Sequence, residues 1–212
     1  MYRHIPNMIT VGRLLLTALF FIAINVRVST GHFTLLMSIS LVLFLLATGS
    51  DVLDGYLART WKVESAFGRV VDPFADKILI CGAFVFLCTP VIPMSVVSAC
   101  AWPALYAPTG IAPWMAVVLI AREFLVTGIR GLAESRGIDF RAQWMGKLKM
   151  LFQSIAVGGA LVCFMAAIPL HGSRLLYGLL LTRDVAIWLT ILITVVSAWQ
   201  YIVSGWRVMR PA

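Results

Sequence analysis

The stretch Gly49–Lys77 reads GSDVLDGYLARTWKVESAFGRVVDPFADK and lies between two strongly apolar segments of the chain. It contains four of the nine acidic residues of the sequence, namely Asp51, Asp54, Asp72 and Asp76. Carboxylates next to segments that must be buried are costly, and they are usually functional. These four residues therefore decide how the rest of the sequence is interpreted.

The composition indicates an integral membrane protein. Hydrophobic residues make up 61% of the 212 residues, only 12% are charged, and the mean hydropathy is +0.95. Soluble domains carry about 25% charged residues. Apolar runs of about 20 residues, which cross a bilayer as helices, predict six transmembrane helices in one all-α membrane domain over residues 1–212. We expect the first helix to be retained rather than cleaved as a signal peptide. The predicted spans lie near residues 7–26, 33–57, 73–98, 112–133, 146–169 and 185–206.

The Lys and Arg residues predict the orientation of these helices. All but three of the seventeen fall at the termini or in the second and fourth connections, which share one side of a six-span protein. The exceptions are Arg27, Arg174 and Arg183. By the positive-inside rule, both termini and the stretch with the four aspartates face the cytoplasm. Such an excess of cations also favours an anionic lipid surface or a phosphorylated substrate.

The spacing of the four aspartates predicts a metal site. Residues three or four apart on a helix share one face, so Asp51 and Asp54 project together, and so do Asp72 and Asp76. Converging carboxylates repel one another unless divalent cations such as Mg²⁺ bind between them, and these cations also bind phosphate oxygens. The alternative is structural: ordinary helix-end acids, with Asp72 as the N-cap of a helix that begins at Pro73.

The same residues form a longer pattern, D-x-x-D-G-x-x-A-R, followed after eight residues by G-x-x-x-D-x-x-x-D. At all eight fixed positions it resembles the signature of the CDP-alcohol phosphotransferase family. The resemblance implies that the four aspartates hold two divalent metal ions, Mg²⁺ or alternatively Mn²⁺, and that Asp76 is also the general base. It implies a homodimer, and a reaction in which an alcohol attacks the β-phosphorus of a CDP-linked donor and CMP leaves.

Residues around the aspartates are expected to bind the CDP-lipid. Gly55 and Gly68 lack side chains, so backbone and ligand can approach closely there. Arg59 can donate a forked hydrogen bond to a diphosphate, although it could also simply anchor the cytoplasmic end of its helix. The resemblance implies that Gly55, Arg59 and the hydroxyl of Ser65 contact the CDP-lipid, while a loop serine is otherwise only solvated.

Further resemblance lies outside the signature. IPNMITVGRLLLT (Ile5–Thr17) is similar to the first helix of the phosphatidylglycerophosphate synthases within this family, where an Asn- and Thr-bearing helix entry lines the nucleotide end. Asn7 and Thr10 are therefore candidates for CDP-lipid binding, and Asn7 is equally suited to cap the helix. The segments AREFLVTGIRGLAESRG (121–137) and WMGKLKM (144–150) resemble the same branch.

A cluster of basic residues suggests the second substrate. Arg122, Arg130, Lys147 and Lys149 lie on the predicted cytoplasmic side, and an acceptor that carries a phosphate needs such a cluster. Arg122 and Arg130, eight residues apart, are expected on one face of their helix. With the resemblance, this favours CDP-diacylglycerol as donor and sn-glycerol 3-phosphate as acceptor. Inositol phosphate, phosphatidylglycerol and serine are the alternatives. The cations could also only anchor their helices, and Arg122 could pair structurally with Glu123.

An ion-coupled transporter is the alternative from another class. It would distribute acids through the membrane depth, whereas eight of the nine acids here fall at or near the cytoplasmic side. The sequence therefore favours an enzyme at the cytoplasmic leaflet of the inner membrane. In this enzyme, Asp76 accepts the proton from the hydroxyl of the acceptor.

Overall fold

The structure, a computed structural model, describes residues 5–26, 30–61, 66–88, 109–136, 144–170 and 173–209. The side chains of residues 5–7, 9, 30–31, 51–61, 66–70, 72–73, 134, 144–147 and 206–209 lie outside this description. Within the described ranges every element is an α-helix, as the sequence predicts. The helices are α1 (Ile5–Asn25), α2 (Thr30–Trp61), α3 (Ala66–Cys88), α4 (Pro113–Ser135), α5 (Trp144–Ala167) and α6 (Arg174–Met209).

Three of these helices contain segments that are long and apolar enough to cross a membrane. The segments are His32–Ser50 in α2, Leu148–Ala167 in α5 and Arg174–Gly205 in α6. α1 contributes a shorter apolar segment, Thr10–Asn25. The predicted span at 112–133 is helical from Pro113, and the one at 73–98 is helical as far as Cys88, beyond which residues 89–98 lie outside the description. Charged side chains interrupt the apolar runs of both helices. The described part of the chain thus has the helices of a membrane protein.

The connection between α2 and α3 is shorter than predicted. The sequence suggests a loop at residues 60–71, with Asp72 as a possible N-cap and Pro73 as the first helical residue. Instead, α2 continues to Trp61 and α3 already begins at Ala66. Pro73 therefore lies inside α3, where its ring nitrogen cannot donate the backbone hydrogen bond of a regular helix. The explanation of Asp72 as an N-cap is wrong.

The helices form a closed ring. α1 packs against α2, α2 against α5, α5 against α6, α6 against α4, α4 against α3, and α3 against α1. α3 also contacts α5 and α2, so it lies nearest to the centre of the ring. The outward faces carry large apolar side chains, as on α1, where Val11, Leu15, Leu19 and Ile22 are exposed. An apolar outer surface of this kind suits contact with lipid.

Apolar side chains fill most of the interior. The buried core includes Phe20 of α1, Phe44 of α2 and Phe84 of α3. The ring centroids of Phe20 and Phe44 are 5.6 Å apart in a tilted arrangement that aromatic pairs favour. Gly82 of α3 lets α1 approach closely, because a Cβ atom at this position would collide with the ring of Phe21. This packing holds α1 against α3 next to the region where their charged residues meet.

Charged side chains of four helices meet in one part of the ring, which we call the charged end. They come from near the middle of α1, α3 and α4 and from the second turn of α5. The charged end comprises Arg13, Asp76, Lys77, Arg122, Glu123 and Lys149, together with Ser197 and Tyr201 of α6, which contact Arg122.

The opposite end, which we call the far end, holds a local ion pair. Arg183 of α6 donates to Asp184 Oδ1 from Nε at 2.9 Å and from Nη2 at 2.7 Å. Gly110 lies against this pair with φ of 69°, and a Cβ there would lie 2.8 Å from Asp184 Oδ1. Because the two charges neutralise each other within the helix, α6 extends back to Arg174, well before the predicted start near residue 185.

Candidate active site

The four aspartates lie well inside their helices. Asp51 and Asp54 fall in the last three turns of α2, and Asp72 and Asp76 fall in the second and third turns of α3. Only Asp76 among them has a described side chain, so the convergence of the four carboxylates stays a prediction. The CDP-lipid candidates Gly55, Arg59, Ser65, Gly68 and Asn7 also lie outside the described side chains.

Asp76 is held by a cation from another helix. Arg13 Nη1 of α1 donates to Asp76 Oδ1 at 3.2 Å. The arginine side chain is 1% exposed and the aspartate side chain is 26% exposed. The candidate base is therefore oriented from its buried flank and accessible on the other.

The inward face of α1 at the charged end is polar. Thr10, Arg13 and Thr17 are all buried and recur at the spacing of one helix face. The hydroxyl of Thr17 donates to the backbone carbonyl of Arg13 at 2.8 Å. The sequence prediction included Thr10 but counted Arg13 only as a charge that sets orientation. A buried cation in an apolar helix, one turn from Thr10, was the signal for its role.

A second ionic cluster joins α4 and α5. Arg122 Nη1 donates to Glu123 Oε1 at 2.9 Å, and Lys149 Nζ pairs with the same oxygen. Arg122 and Lys149 are buried, and the side chain of Glu123 is 13% exposed. The sequence prediction assigned the two cations to an acceptor phosphate and considered Glu123 only as a structural partner of Arg122. The structure brings the two cations together and places a carboxylate between them.

Arg122 is also fixed to α6. Its Nη2 donates to Ser197 Oγ at 2.6 Å, and its guanidinium lies 5.7 Å from the centroid of the Tyr201 ring. Its Nε atom is buried and has no hydrogen-bond partner among the described residues. Arg122 is thus a rigid part of the protein, with both terminal nitrogens already bonded to protein groups.

Lys77 connects the two ionic clusters. Its Nζ donates to Thr127 Oγ1 at 2.6 Å, and that hydroxyl donates to the backbone carbonyl of Glu123 at 2.7 Å. Lys77 follows Asp76 directly, and the two side chains contact opposite neighbours of α3: Asp76 contacts α1 and Lys77 contacts α4. α3 therefore contributes to both clusters, with the candidate base next in sequence to the lysine that contacts α4.

The structure does not place the other two residues predicted to bind the acceptor's phosphate in this cluster. Arg130 is exposed and forms no ion pair within the described part of the chain. It does not share the buried face of Arg122, because eight residues turn a helix by about 80° beyond two full turns. The side chain of Lys147 lies outside the described residues. Arg130 thus lies on the exposed side of α4, toward its end, with its donors available.

Asp76 is the only one of the four predicted metal ligands whose side chain is described. Among the residues with described side chains, no group of three or more His, Cys, Asp or Glu residues could hold a metal ion. Asp76 itself offers a partly exposed carboxylate, and carboxylate oxygens are the donors that Mg²⁺ and Mn²⁺ prefer. Its chemistry fits the predicted metal.

Comparison with known proteins gives a consistent match. The model of the CDP-alcohol phosphatidyltransferase family matches residues 3–196. The chain is 30% identical to a CDP-diacylglycerol–glycerol-3-phosphate 3-phosphatidyltransferase of Bacillus subtilis, over 99% of this chain and 98% of the relative. It is 29% identical to a Haemophilus influenzae protein of the same name, over 74% of this chain and 75% of the relative. A probable phosphatidylglycerophosphate synthase of Mycobacterium tuberculosis is 29% identical, over 96% of this chain and 82% of the relative.

Proposed function

The chain belongs to the CDP-alcohol phosphatidyltransferase family, and we propose that it transfers the phosphatidyl group of CDP-diacylglycerol to sn-glycerol 3-phosphate. The products are phosphatidylglycerophosphate and CMP. The observation that carries this proposal is the similarity, along almost the whole chain, to a relative named for this reaction. Membership in a family of transferases makes the protein an enzyme and removes the ion-coupled transporter from consideration.

The donor binds where α2 and α3 carry the signature residues. Asp51, Asp54, Asp72 and Asp76 would hold two divalent ions, Mg²⁺ or alternatively Mn²⁺. When bound, these ions supply positive charge that neutralises the diphosphate of CDP-diacylglycerol. In support, the Asp76 carboxylate is accessible and lies at the end of the ring where the other ionic groups gather.

The remaining donor contacts come from the same two helices and from α1. Gly55 and Arg59 follow Asp51 on α2 at steps of four residues, the spacing of one helix face. We assign to them, and to Ser65 and Gly68, contacts with the diphosphate and nucleotide. Asn7 and Thr10 of α1 complete the nucleotide end. Support for Thr10 is its place on the inward face of α1, one turn from Arg13.

The acceptor binds on the α4 side of Asp76. Lys149 and Arg130 supply donors to its phosphate, with Lys147 beside them, and Arg122 supplies a fixed positive charge behind them. This arrangement orients the acceptor's free hydroxyl, and orientation is worth several kcal/mol of the barrier, roughly 7–11 in well-aligned intramolecular reactions.

Asp76 accepts the proton of that hydroxyl as the oxygen attacks the β-phosphorus of the donor. The bond between this phosphorus and the oxygen of CMP breaks, and CMP leaves. The part of Arg13 is to hold the Asp76 carboxylate in the orientation that receives the proton. The ion pair of 3.2 Å between Arg13 and Asp76 supports this assignment.

The charged end faces the cytoplasm in this proposal, and all six described helices cross the inner membrane with both termini inside. The distribution of the seventeen Lys and Arg residues supports this orientation. The exposed apolar faces of the helices support contact with lipid, from which CDP-diacylglycerol enters the site sideways. The single membrane domain and the homodimer that the family resemblance implies stay predictions.

The test is release of CMP by the purified protein in detergent micelles. CDP-diacylglycerol and Mg²⁺ are supplied with sn-glycerol 3-phosphate, inositol phosphate, phosphatidylglycerol or serine in separate reactions, and Asp76→Asn is the control variant. Release with sn-glycerol 3-phosphate alone is the expected result. Release with a different acceptor would show that the protein catalyses another reaction of the same family. A lack of release with every acceptor would contradict the proposed function.

A further inference from the structure

Among the described side chains, the cluster on α4 and α5 contains more positive than negative charge. Arg122 and Lys149 set two positive charges against the single carboxylate of Glu123, and Lys77 of α3 adds a third positive charge beside them through Thr127. Two of these cations are buried, and buried charge that lacks a counter-charge is strongly destabilising. The surplus of two charges matches a phosphate monoester, which carries about −1.5 to −2 near neutral pH. The described charges of this cluster therefore favour the binding of an anion.

The hydrogen bonds of the cluster are incomplete as well. Lys149 uses one of its three N–H donors on a described residue, the bond to Glu123 Oε1. Arg122 Nε is buried and has no described partner. Buried polar groups in folded proteins almost always have hydrogen-bond partners. Spare donors on two buried cations point to a ligand with several acceptor oxygens.

The side chain of Glu123 is held by fewer protein groups than that of Arg122. Arg122 is held by three groups, of which Ser197 and Tyr201 come from α6. Glu123 contacts only the two cations through its side chain, both at Oε1, within the described part of the chain. The Arg122 side of the cluster is fixed, whereas the contact between Glu123 and Lys149 can be exchanged without disturbing α6.

We propose that the carboxylate of Glu123 occupies the position on Lys149 that the acceptor's phosphate takes, so that the acceptor binds by exchange with an internal anion. The inference rests on the proposed function, since it concerns the phosphate of that acceptor. Only a ligand group with comparable negative charge can replace the carboxylate on Lys149. Glu123 thereby weakens the binding of all anions and makes acceptor binding depend on a phosphate. When the phosphorylated product leaves, the Glu123 carboxylate takes the place of its phosphate on Lys149.

The first experiment measures inorganic phosphate as a competitor of sn-glycerol 3-phosphate in the CMP-release assay. Glu123→Gln keeps an oxygen that can accept hydrogen bonds from both cations and removes the negative charge. We expect the inhibition constant of phosphate and the KM of the acceptor to fall about tenfold, at the lower end of the coupling measured for close charge pairs. The KM of CDP-diacylglycerol should stay within about twofold. An unchanged or higher inhibition constant would make Glu123 a structural residue and overturn the inference.

A double-mutant cycle tests whether Lys149 is the cation for which Glu123 and phosphate compete. In a Lys149→Met background, Glu123→Gln should change the phosphate inhibition constant by less than about twofold, because the cation for which the two anions compete is gone. A decrease that persists in this background would mean a general field effect, and it would also overturn the exchange.

A binding measurement separates this inference from the proposed reaction. The increase in Tm on adding inorganic phosphate, without CDP-diacylglycerol, should occur at about tenfold lower phosphate concentration in Glu123→Gln than in the unaltered protein. If Glu123→Gln fails to fold, Glu123→Asp provides the same test, because its carboxylate is one methylene shorter and reaches Lys149 less well. Equal phosphate dependence in the variant and the unaltered protein would refute the exchange. A failure of the unaltered protein to use sn-glycerol 3-phosphate would instead refute the proposed function.

Discussion

The two ends of the helical ring differ in the sequence separation between the partners of their ion pairs. At the charged end, Arg122 pairs with its neighbour Glu123, but Arg13 also pairs with Asp76, which is 63 residues away, and Lys149 pairs with Glu123, which is 26 residues away. At the far end, Arg183 pairs with its immediate neighbour in the chain. A pair formed within one helix forms whenever the helix forms. A pair between distant helices requires the complete fold, so the two ends serve different purposes.

The charges of the described ion-pair clusters differ between the two ends as well. At the far end Arg183 meets Asp184, and both charges of this pair are neutralised. At the charged end, the described residues set four cations against two carboxylates. Neutral pairs complete a structure, whereas a surplus of buried cations prepares a protein for an anionic ligand. The comparison predicts that substitutions at the charged end change kinetics, whereas those at the far end change stability.

The largest expected effect is that of Asp76→Asn. The amide cannot accept the hydroxyl proton as a carboxylate does, and general-base catalysis is typically worth about 10²- to 10⁴-fold. We expect kcat for CMP release to fall by that factor while the protein remains folded. Asp184→Asn, the same substitution at the far end, is the matched control and should retain kcat within about twofold. Unaltered turnover in Asp76→Asn would remove the assignment of Asp76 as the base.

Arg13→Gln should have the next largest effect. Without the guanidinium, the Asp76 carboxylate loses the group that orients it, and loss of such supporting contacts typically costs about 10- to 100-fold in activity. We expect kcat to fall in this range with little change in the KM of the acceptor. Arg13→Lys should recover part of kcat, because a shorter cation can still reach α3. A variant that is equally folded and equally active would make Arg13 a structural residue only.

The candidate residues of the site could be identified from the sequence, whereas their contacts with one another could not. The aspartate pattern and the basic residues depend on residue type and local spacing, which are visible in one chain. That Arg13 meets Asp76, and that Lys149 and Arg122 share Glu123, depends on which helices become neighbours. No local pattern specifies a contact between residues 63 positions apart.

The helix ends show the same difference between local sequence patterns and the packing of distant helices. The apolar runs located the six described helices, yet they gave too late a start for α3 and α6. Pro73 was a reasonable signal for the start of a helix, and packing of α3 at the centre of the ring outweighs it. The start of α6 was missed because Arg183 and Asp184 interrupt the hydropathy, whereas their pairing removes most of that penalty.

Arg130→Ala should have a smaller effect, confined to one substrate. Arg130 is exposed near the end of α4 and has its donors available, so its loss should raise the KM of sn-glycerol 3-phosphate about tenfold, as expected for one charge-assisted contact. The KM of CDP-diacylglycerol should change by less than about twofold. Arg136→Ala, an exposed arginine at the end of the same helix, is the matched control. If both variants behave alike, Arg130 only anchors the helix at the membrane surface.

The smallest kinetic effects are expected at the far end, where Asp184→Asn and Gly110→Ala should change stability alone. Asp184→Asn leaves the buried guanidinium of Arg183 without its adjacent carboxylate, and because the Asp184 side chain is 47% exposed, the loss should be about 1 kcal/mol. Gly110→Ala places a Cβ against the same pair at a positive φ, which alanine adopts only with strain. For a chain of this length, each should lower Tm by roughly 2–4 °C. Both KM values should stay within about twofold of the unaltered protein. An altered acceptor KM would show that the two ends are energetically coupled through α6, which contributes Arg183 to one end and Ser197 to the other.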